Sequence, residues 1–160
     1  MKFDFNIKKI GIGTWISLGT CIIAVIAAIL YGASSATTFV SASIPAVTVC
    51  ITLAVIFVAL TVISACFELN GIVGKVVSFL IGALRIVVPV LLTLCFFYSV
   101  NARVTNLAFL YFSDESTSTN FTAEELAAGS MIIADLVFFG VAILTSVVSA
   151  FFTLRKKNVG

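Results

Sequence analysis

Long apolar segments separated by short polar ones form the main pattern along this chain. They cover approximately residues 12–31, 44–67, 72–98 and 122–154. Each is close to, or longer than, the roughly 20 residues with which a helix crosses the hydrocarbon core of a bilayer. Transmembrane strands would be shorter and would alternate in polarity, which these segments do not. The pattern therefore predicts an all-α membrane protein, with residues 1–160 forming a single antiparallel bundle of four transmembrane helices.

The composition indicates the same class of protein. The chain is 61% hydrophobic and only 10% charged, whereas soluble domains have roughly 45–50% and roughly 25% of such residues. A soluble domain of this size has too much surface for its volume to bury so many apolar side chains. The predicted solvent is therefore the lipid bilayer. The net charge of +2, without a basic stripe, excludes nucleic acid as an expected partner.

The distribution of Lys and Arg predicts the orientation. With the N-terminus inside, seven of the nine basic residues are cytoplasmic: Lys2, Lys8, Lys9, Lys75, Arg155, Lys156 and Lys157. Only Arg103 falls outside, and Arg85 lies within the third segment. The positive-inside rule therefore places both termini in the cytoplasm. We expect a multi-pass protein of the cell membrane, and the lack of cysteines in the predicted outer loops is compatible with a bacterial inner membrane.

The longest predicted connection is the outer loop over residues 100–121. Its first half is apolar and aromatic, and its second half is polar. Thr122 followed by Glu125 fits a capping box, in which each side chain bonds the backbone N–H of the other residue. The fourth helix is therefore expected to begin near residue 122, before its apolar part.

A stripe of small residues on the first helix predicts a packing face. It consists of Gly13, Ser17, Cys21, Ala24 and Ala28. Small side chains let membrane helices approach closely. The face is expected to contact a neighbouring helix of this chain or a second copy of it.

Arg85 is the most informative polar residue, because a charge inside a membrane is costly and usually faces a bundle interior or a watery cavity. Ser78, Gly82, Pro89 and Thr93 recur at helical spacing around it, so we expect this stripe and Arg85 to face the interior together. Pro89 has no backbone N–H, which leaves the Arg85 carbonyl without its helical donor. A functional role for Arg85 would be to contact an anion or a substrate or to act as a counter-charge. In the structural alternative, Arg85 only satisfies helix carbonyls or extends its charged end to the membrane interface.

Asp135 lies on a second small-residue stripe, with Ala142, Ser146 and Ser149 at helical spacing. It has two possible partners. Arg85 differs from it in depth by roughly 10 Å along the helices, and Arg103 lies nearer the outer surface. The sequence leaves both open. The candidate intramembrane polar site is therefore Arg85, Asp135, Pro89 and Thr93.

The sequence offers little chemistry for an enzyme. It contains no His, the commonest general base and metal ligand, and its four cysteines form no Cys-x-x-Cys pair. We therefore expect no catalytic residues, metal or cofactor. The first hypothesis is a non-enzymatic scaffold or accessory subunit, with a membrane protein or a second copy as its partner. The second is a subunit of an oligomeric transporter or channel that uses Arg85 and Asp135. An intramembrane enzyme ranks last.

Overall fold

Four helices account for nearly all of the structure, a computed structural model that describes residues 11–37, 40, 44–66, 71–112 and 121–154. They are α1 (Ile12–Ser35), α2 (Pro45–Cys66), α3 (Gly71–Phe112) and α4 (Ala123–Phe151). No strand occurs within these described ranges. Each helix is long and apolar enough to cross a membrane. The expectation of an all-helical chain with four candidate spans is confirmed.

The bounds of α1 and α3 differ from the prediction. α1 continues to Ser35, past the expected end at residue 31, and α3 continues to Phe112 through the first half of the expected loop at 100–121. Residues 100–112 contain neither Gly nor Pro, and Leu110 packs against Gly129 of α4. The prediction ended the third helix near residue 98, where its apolar segment meets Asn101 and Arg103, but the helix continues because the segment has no breaker and has a packed face. The polar half of that loop, residues 113–120, lies outside the described residues.

The start of α4 matches the sequence prediction. The Thr122 hydroxyl accepts a hydrogen bond from the Glu125 N–H at 3.3 Å, and the Glu125 carboxylate accepts one from the Thr122 N–H at 2.8 Å. The predicted capping box is therefore confirmed. Glu124 and Glu125 also place negative charge in the first turn, where the helix dipole favours it.

Small residues line the contact between α1 and α4. The buried residues of α1 are Gly13, Thr14, Ser17, Thr20, Ala24, Ala27, Tyr31 and Ser34. Those of α4 are Ala128, Gly129, Ile132, Asp135, Phe139, Ala142, Ser146 and Ser149. The face predicted on α1 is thus the packed one, with Cys21 and Ala28 half-buried at its edge. Small side chains on both helices allow a close approach of the two backbones.

Backbone hydrogen bonds tie the start of α1 to the segment after α4. The Gly11 N–H donates to the Leu154 carbonyl at 2.8 Å, and the Gly13 N–H donates to the Thr153 carbonyl at 3.2 Å. The Thr14 hydroxyl also donates to the Leu154 carbonyl, at 2.7 Å. We call this region, Gly11–Thr14 with Thr153–Leu154, the terminal end of the bundle.

The apolar core lies in the middle of the bundle and takes side chains from all four helices. Its buried members include Ala24, Ala27, Ile51, Val58, Val88, Leu92, Cys95 and Phe139. Large apolar side chains also cover the outer faces, for example Trp15, Ile29 and Leu144, each 60% exposed or more.

Packing divides α3 into two halves. From Val88 onward a residue is buried every three or four positions, namely Val88, Leu92, Cys95, Ser99 and Arg103. No residue from Ile72 to Val87 is buried. We call Ile72–Val87 the open half of α3 and Val88–Leu110 its packed half. Pro89 lies at the boundary between them.

Candidate functional site

A buried ion pair joins α3 to α4. Arg103 Nη1 lies 3.4 Å from Asp135 Oδ2, and the two side chains are 2% and 0% exposed. Both residues belong to the buried stripe of their own helix, so the packing of α3 on α4 brings them together. Two charges removed from water lose much hydration, which only close pairing and further hydrogen bonds offset. Of the two partners that the sequence left open for Asp135, the structure pairs it with Arg103.

The rest of the Arg103 guanidinium contacts the end of α1. Nη1 donates to the Ser34 hydroxyl at 2.6 Å, and Nη2 donates to the Ser35 hydroxyl at 2.7 Å and to the Tyr31 carbonyl at 3.4 Å. The last carbonyls of a helix lack intrahelical donors and carry partial negative charge. Since α1 has no basic residue in its last turn, α3 supplies the cation that stabilises this end.

Tyr31 extends this cluster to α2. Its ring centroid lies 4.4 Å from Arg103 Cζ, a cation–π distance. Its hydroxyl accepts a hydrogen bond from the Ile44 N–H at 2.7 Å, directly before α2 begins. We define the Arg103 cluster as Tyr31, Ser34, Ser35, Arg103 and Asp135. Through Tyr31 and the ion pair, it connects all four helices.

Two buried oxygens near Arg103 lack hydrogen-bond partners within the part of the chain that the structure describes. They are Asp135 Oδ1 and Ser99 Oγ. Ser99 lies one turn before Arg103 on the same face of α3. An unsatisfied buried polar atom costs free energy, so the cluster is incompletely satisfied.

Arg85 plays the corresponding role at the C-terminal end of α4. Its Nη2 donates to the Ser149 carbonyl and to the Phe152 carbonyl at 2.7 Å. α4 has no basic residue in its own last turn. Each arginine of α3 therefore stabilises the C-terminal end of a neighbouring helix. The two arginines are eighteen positions apart in sequence, or about 27 Å along a helix.

The predicted polar stripe around Arg85 is not buried in the interior of the bundle. Ser78, Gly82 and Thr93 are exposed, and the Thr93 hydroxyl donates to the Pro89 carbonyl at 2.7 Å on the outside of α3. Arg85 is half-buried and reaches α4 only because its side chain is long, whereas the short side chains beside it reach no neighbouring helix. The four residues of the candidate site therefore do not form one site. Asp135 pairs with Arg103, Arg85 donates to α4 carbonyls, and Thr93 donates to the Pro89 carbonyl.

Sequence reasoning did not identify Tyr31, Ser34 and Ser35 as contacts of Arg103. One available signal was the spacing of three to four residues that begins at Val88 and continues to Arg103, past the expected helix end at residue 98. Following that spacing would have placed Arg103 on the buried face of α3.

Comparisons with protein-family models, curated proteins and solved structures find no match for this chain. Among the described residues no group of three potential metal ligands occurs, and Cys21, Cys50 and Cys95 are free thiols. The function is therefore inferred from the contacts of this chain alone.

Proposed function

We propose that this chain is an integral protein of the cell membrane, and of a bacterial inner membrane, whose four helices cross the bilayer as an antiparallel bundle with both termini in the cytoplasm. The contacts of the terminal end support this arrangement, because antiparallel helices in even number bring the start of α1 beside the end of α4. The separation of about 27 Å between Arg85 and Arg103 is close to the ~30 Å thickness of the hydrocarbon core. The arginines then lie near opposite faces of that core, where charge is least costly.

The orientation can be tested by cysteine labelling in a variant without native cysteines. We expect the Ser116→Cys variant to react in intact cells with a thiol reagent that does not cross the membrane. The Asn158→Cys variant should react only after the cells are opened, because the positive-inside rule places that end in the cytoplasm. If only the Asn158→Cys variant were labelled in intact cells, the topology would be the opposite of the one proposed.

The proposed role is that of a non-enzymatic scaffold or accessory subunit of a membrane complex. The observation that carries it is the open half of α3, where Ile72 and Phe79 are 83% and 80% exposed. This half has no buried residue although it is as apolar as the packed half. The other three helices carry a buried residue on nearly every turn, whereas this half carries none, and we assign its unpacked face to a helix of a partner membrane protein. The charges of the Arg103 cluster, in contrast, are used within the bundle to join its helices.

Photo-crosslinking tests this role. We expect a photoreactive phenylalanine analogue at Phe79 to form a covalent product with another protein in native membranes. The matched control is Phe151, also a phenylalanine, 83% exposed, at the same end of the bundle but on α4. It should crosslink much less, because the outer surface of α4, where Phe151 lies, is not assigned to a partner.

Two results would contradict the accessory role. The first is an equal yield of products from Phe79 and Phe151, which would mean that the open half of α3 is not a specific surface. The second is selective ion flux through liposomes that hold only this protein. Such flux would favour a transporter or channel subunit, for which the supporting observation is that Asp135 Oδ1 has no hydrogen-bond partner among the described residues. A product of twice the monomer mass would identify the partner as a second copy.

A further inference from the structure

The open half of α3 borders a cleft at the terminal end of the bundle. The cleft has a volume of about 320 Å³ and lies between the end of α2, the open half of α3 and the segment that follows α4. Its lining combines a cation, hydroxyl groups and aliphatic side chains, among them Arg85, Ser64, Ser78, Thr153, Val77 and Ile81. Such a lining suits a ligand with a polar anionic part and an apolar part.

Arg85 has hydrogen-bonding capacity left for a ligand. A guanidinium has five N–H donors, and the hydrogen bonds of Arg85 to the Ser149 and Phe152 carbonyls both come from Nη2. Nη1 makes no hydrogen bond to a described residue, so it is the donor left for a ligand in the cleft; Nε also has no partner among the described residues but is buried. An arginine N–H in this state gains most from an ionised oxygen acceptor, because charge-assisted hydrogen bonds are the stronger ones.

The charge at the cleft is not balanced by a described carboxylate. The acidic residues within the described ranges are Glu124, Glu125 and Asp135, and none of them lines the cleft. Among the described residues, Arg85 is the charged side chain that lines the cleft, and its cation favours an anionic ligand.

We infer that this cleft binds the phosphate headgroup of an anionic phospholipid. A phosphate oxygen accepts from Arg85, the hydroxyls of the lining contact the polar headgroup, and the start of the acyl chains lies against Val77 and Ile81 of the lining, on the side of α3 away from Ile72 and Phe79. Basic pockets between transmembrane helices on the cytoplasmic side are typical sites for anionic headgroups. The lipid is favoured over a free phosphate because the lining is partly aliphatic. The inference rests on the proposed membrane insertion and is independent of the proposed accessory role.

Native mass spectrometry of the full chain, released from nanodiscs of equimolar phosphatidylcholine and phosphatidylglycerol, tests the site. We expect the wild type to retain phosphatidylglycerol in preference to phosphatidylcholine. Arg85→Gln should lower that preference about tenfold, since one charged hydrogen bond is worth roughly a decade in affinity. Lys75→Gln, which removes an exposed cation of the same helix outside the cleft lining, should leave the preference nearly unchanged.

A second variant separates the cleft from the contact of Arg85 with α4. Gly82 lines the cleft, and a Cβ added there meets nothing within 4 Å, so Gly82→Leu fills the cleft while Arg85 keeps its bonds to α4. It should lose the preference for phosphatidylglycerol as Arg85→Gln does. Unchanged preference in both variants would overturn the site.

A third arm distinguishes the source of the phosphate. Inorganic phosphate added to pure phosphatidylcholine nanodiscs should not raise the thermal stability of the protein, whereas added phosphatidylglycerol should. Stabilisation by inorganic phosphate without a lipid preference would overturn the assignment to a lipid. Failure of the protein to enter the nanodisc would contradict the proposed membrane insertion. Normal insertion with equal retention of both lipids would contradict only the headgroup site.

Discussion

Asp135→Asn is expected to lower the free energy of unfolding by about 3–5 kcal/mol, the usual cost of removing one partner of a buried ion pair. The reason is that Arg103 would remain charged and 2% exposed without a carboxylate beside it. Arg103→Met should cost at least as much, because it also removes the donors to Ser34, Ser35 and the Tyr31 carbonyl. Thermal unfolding in detergent, followed by circular dichroism, measures both changes.

The pairing itself is tested by combining the two substitutions. The double variant Arg103→Met with Asp135→Asn should be less destabilised than the sum of the single variants, since neither charge is then left alone. The matched control is Arg85→Met with Asp135→Asn. Arg85 also donates to helix-end carbonyls, but it is not paired with Asp135, so these two effects should add. Coupling of Asp135 to Arg85 instead of Arg103 would contradict the structure.

Gly13→Ala is expected to destabilise the bundle by about 1–3 kcal/mol, as overpacking of a tight contact does. A Cβ at this position would lie 2.7 Å from the Phe152 carbonyl oxygen and 2.9 Å from that of Thr153. These are backbone atoms, so the segment after α4 would have to move as a whole. That movement would break the hydrogen bond from the Gly13 N–H to Thr153.

Gly19→Ala is the control for this prediction. Gly19 lies on the same helix, and a Cβ there meets nothing within 4 Å. Alanine should therefore be neutral, or stabilising by up to about 1 kcal/mol through its better helix propensity. The same unfolding assay compares the two variants. Equal effects of the two substitutions would show that the contact of α1 with the end of α4 is looser than described.

Several features follow from local patterns and were predictable without the fold. Four apolar helices follow from four apolar segments, since each segment has the length and composition to cross a membrane whichever neighbours it has. The capping box of Thr122 and Glu125 is also local, because its two hydrogen bonds span only three positions. The buried face of α1 at Gly13, Ser17 and Ala24 follows from the spacing of small residues on one helix.

The end of α3 and the partner of Asp135 depended on the fold. The polar residues that follow residue 98 ended the predicted helix, but the segment to Phe112 is helical, with Arg103 and Leu110 packed against α4. Arg85 and Arg103 were both plausible partners of Asp135 by depth. Which of them meets it depends on how far α3 and α4 are shifted along each other and how each is rotated about its axis. Those quantities are set by the packing of all four helices at once, so no single helix encodes them. The same register brings Arg103 to the end of α1 and Arg85 to the end of α4.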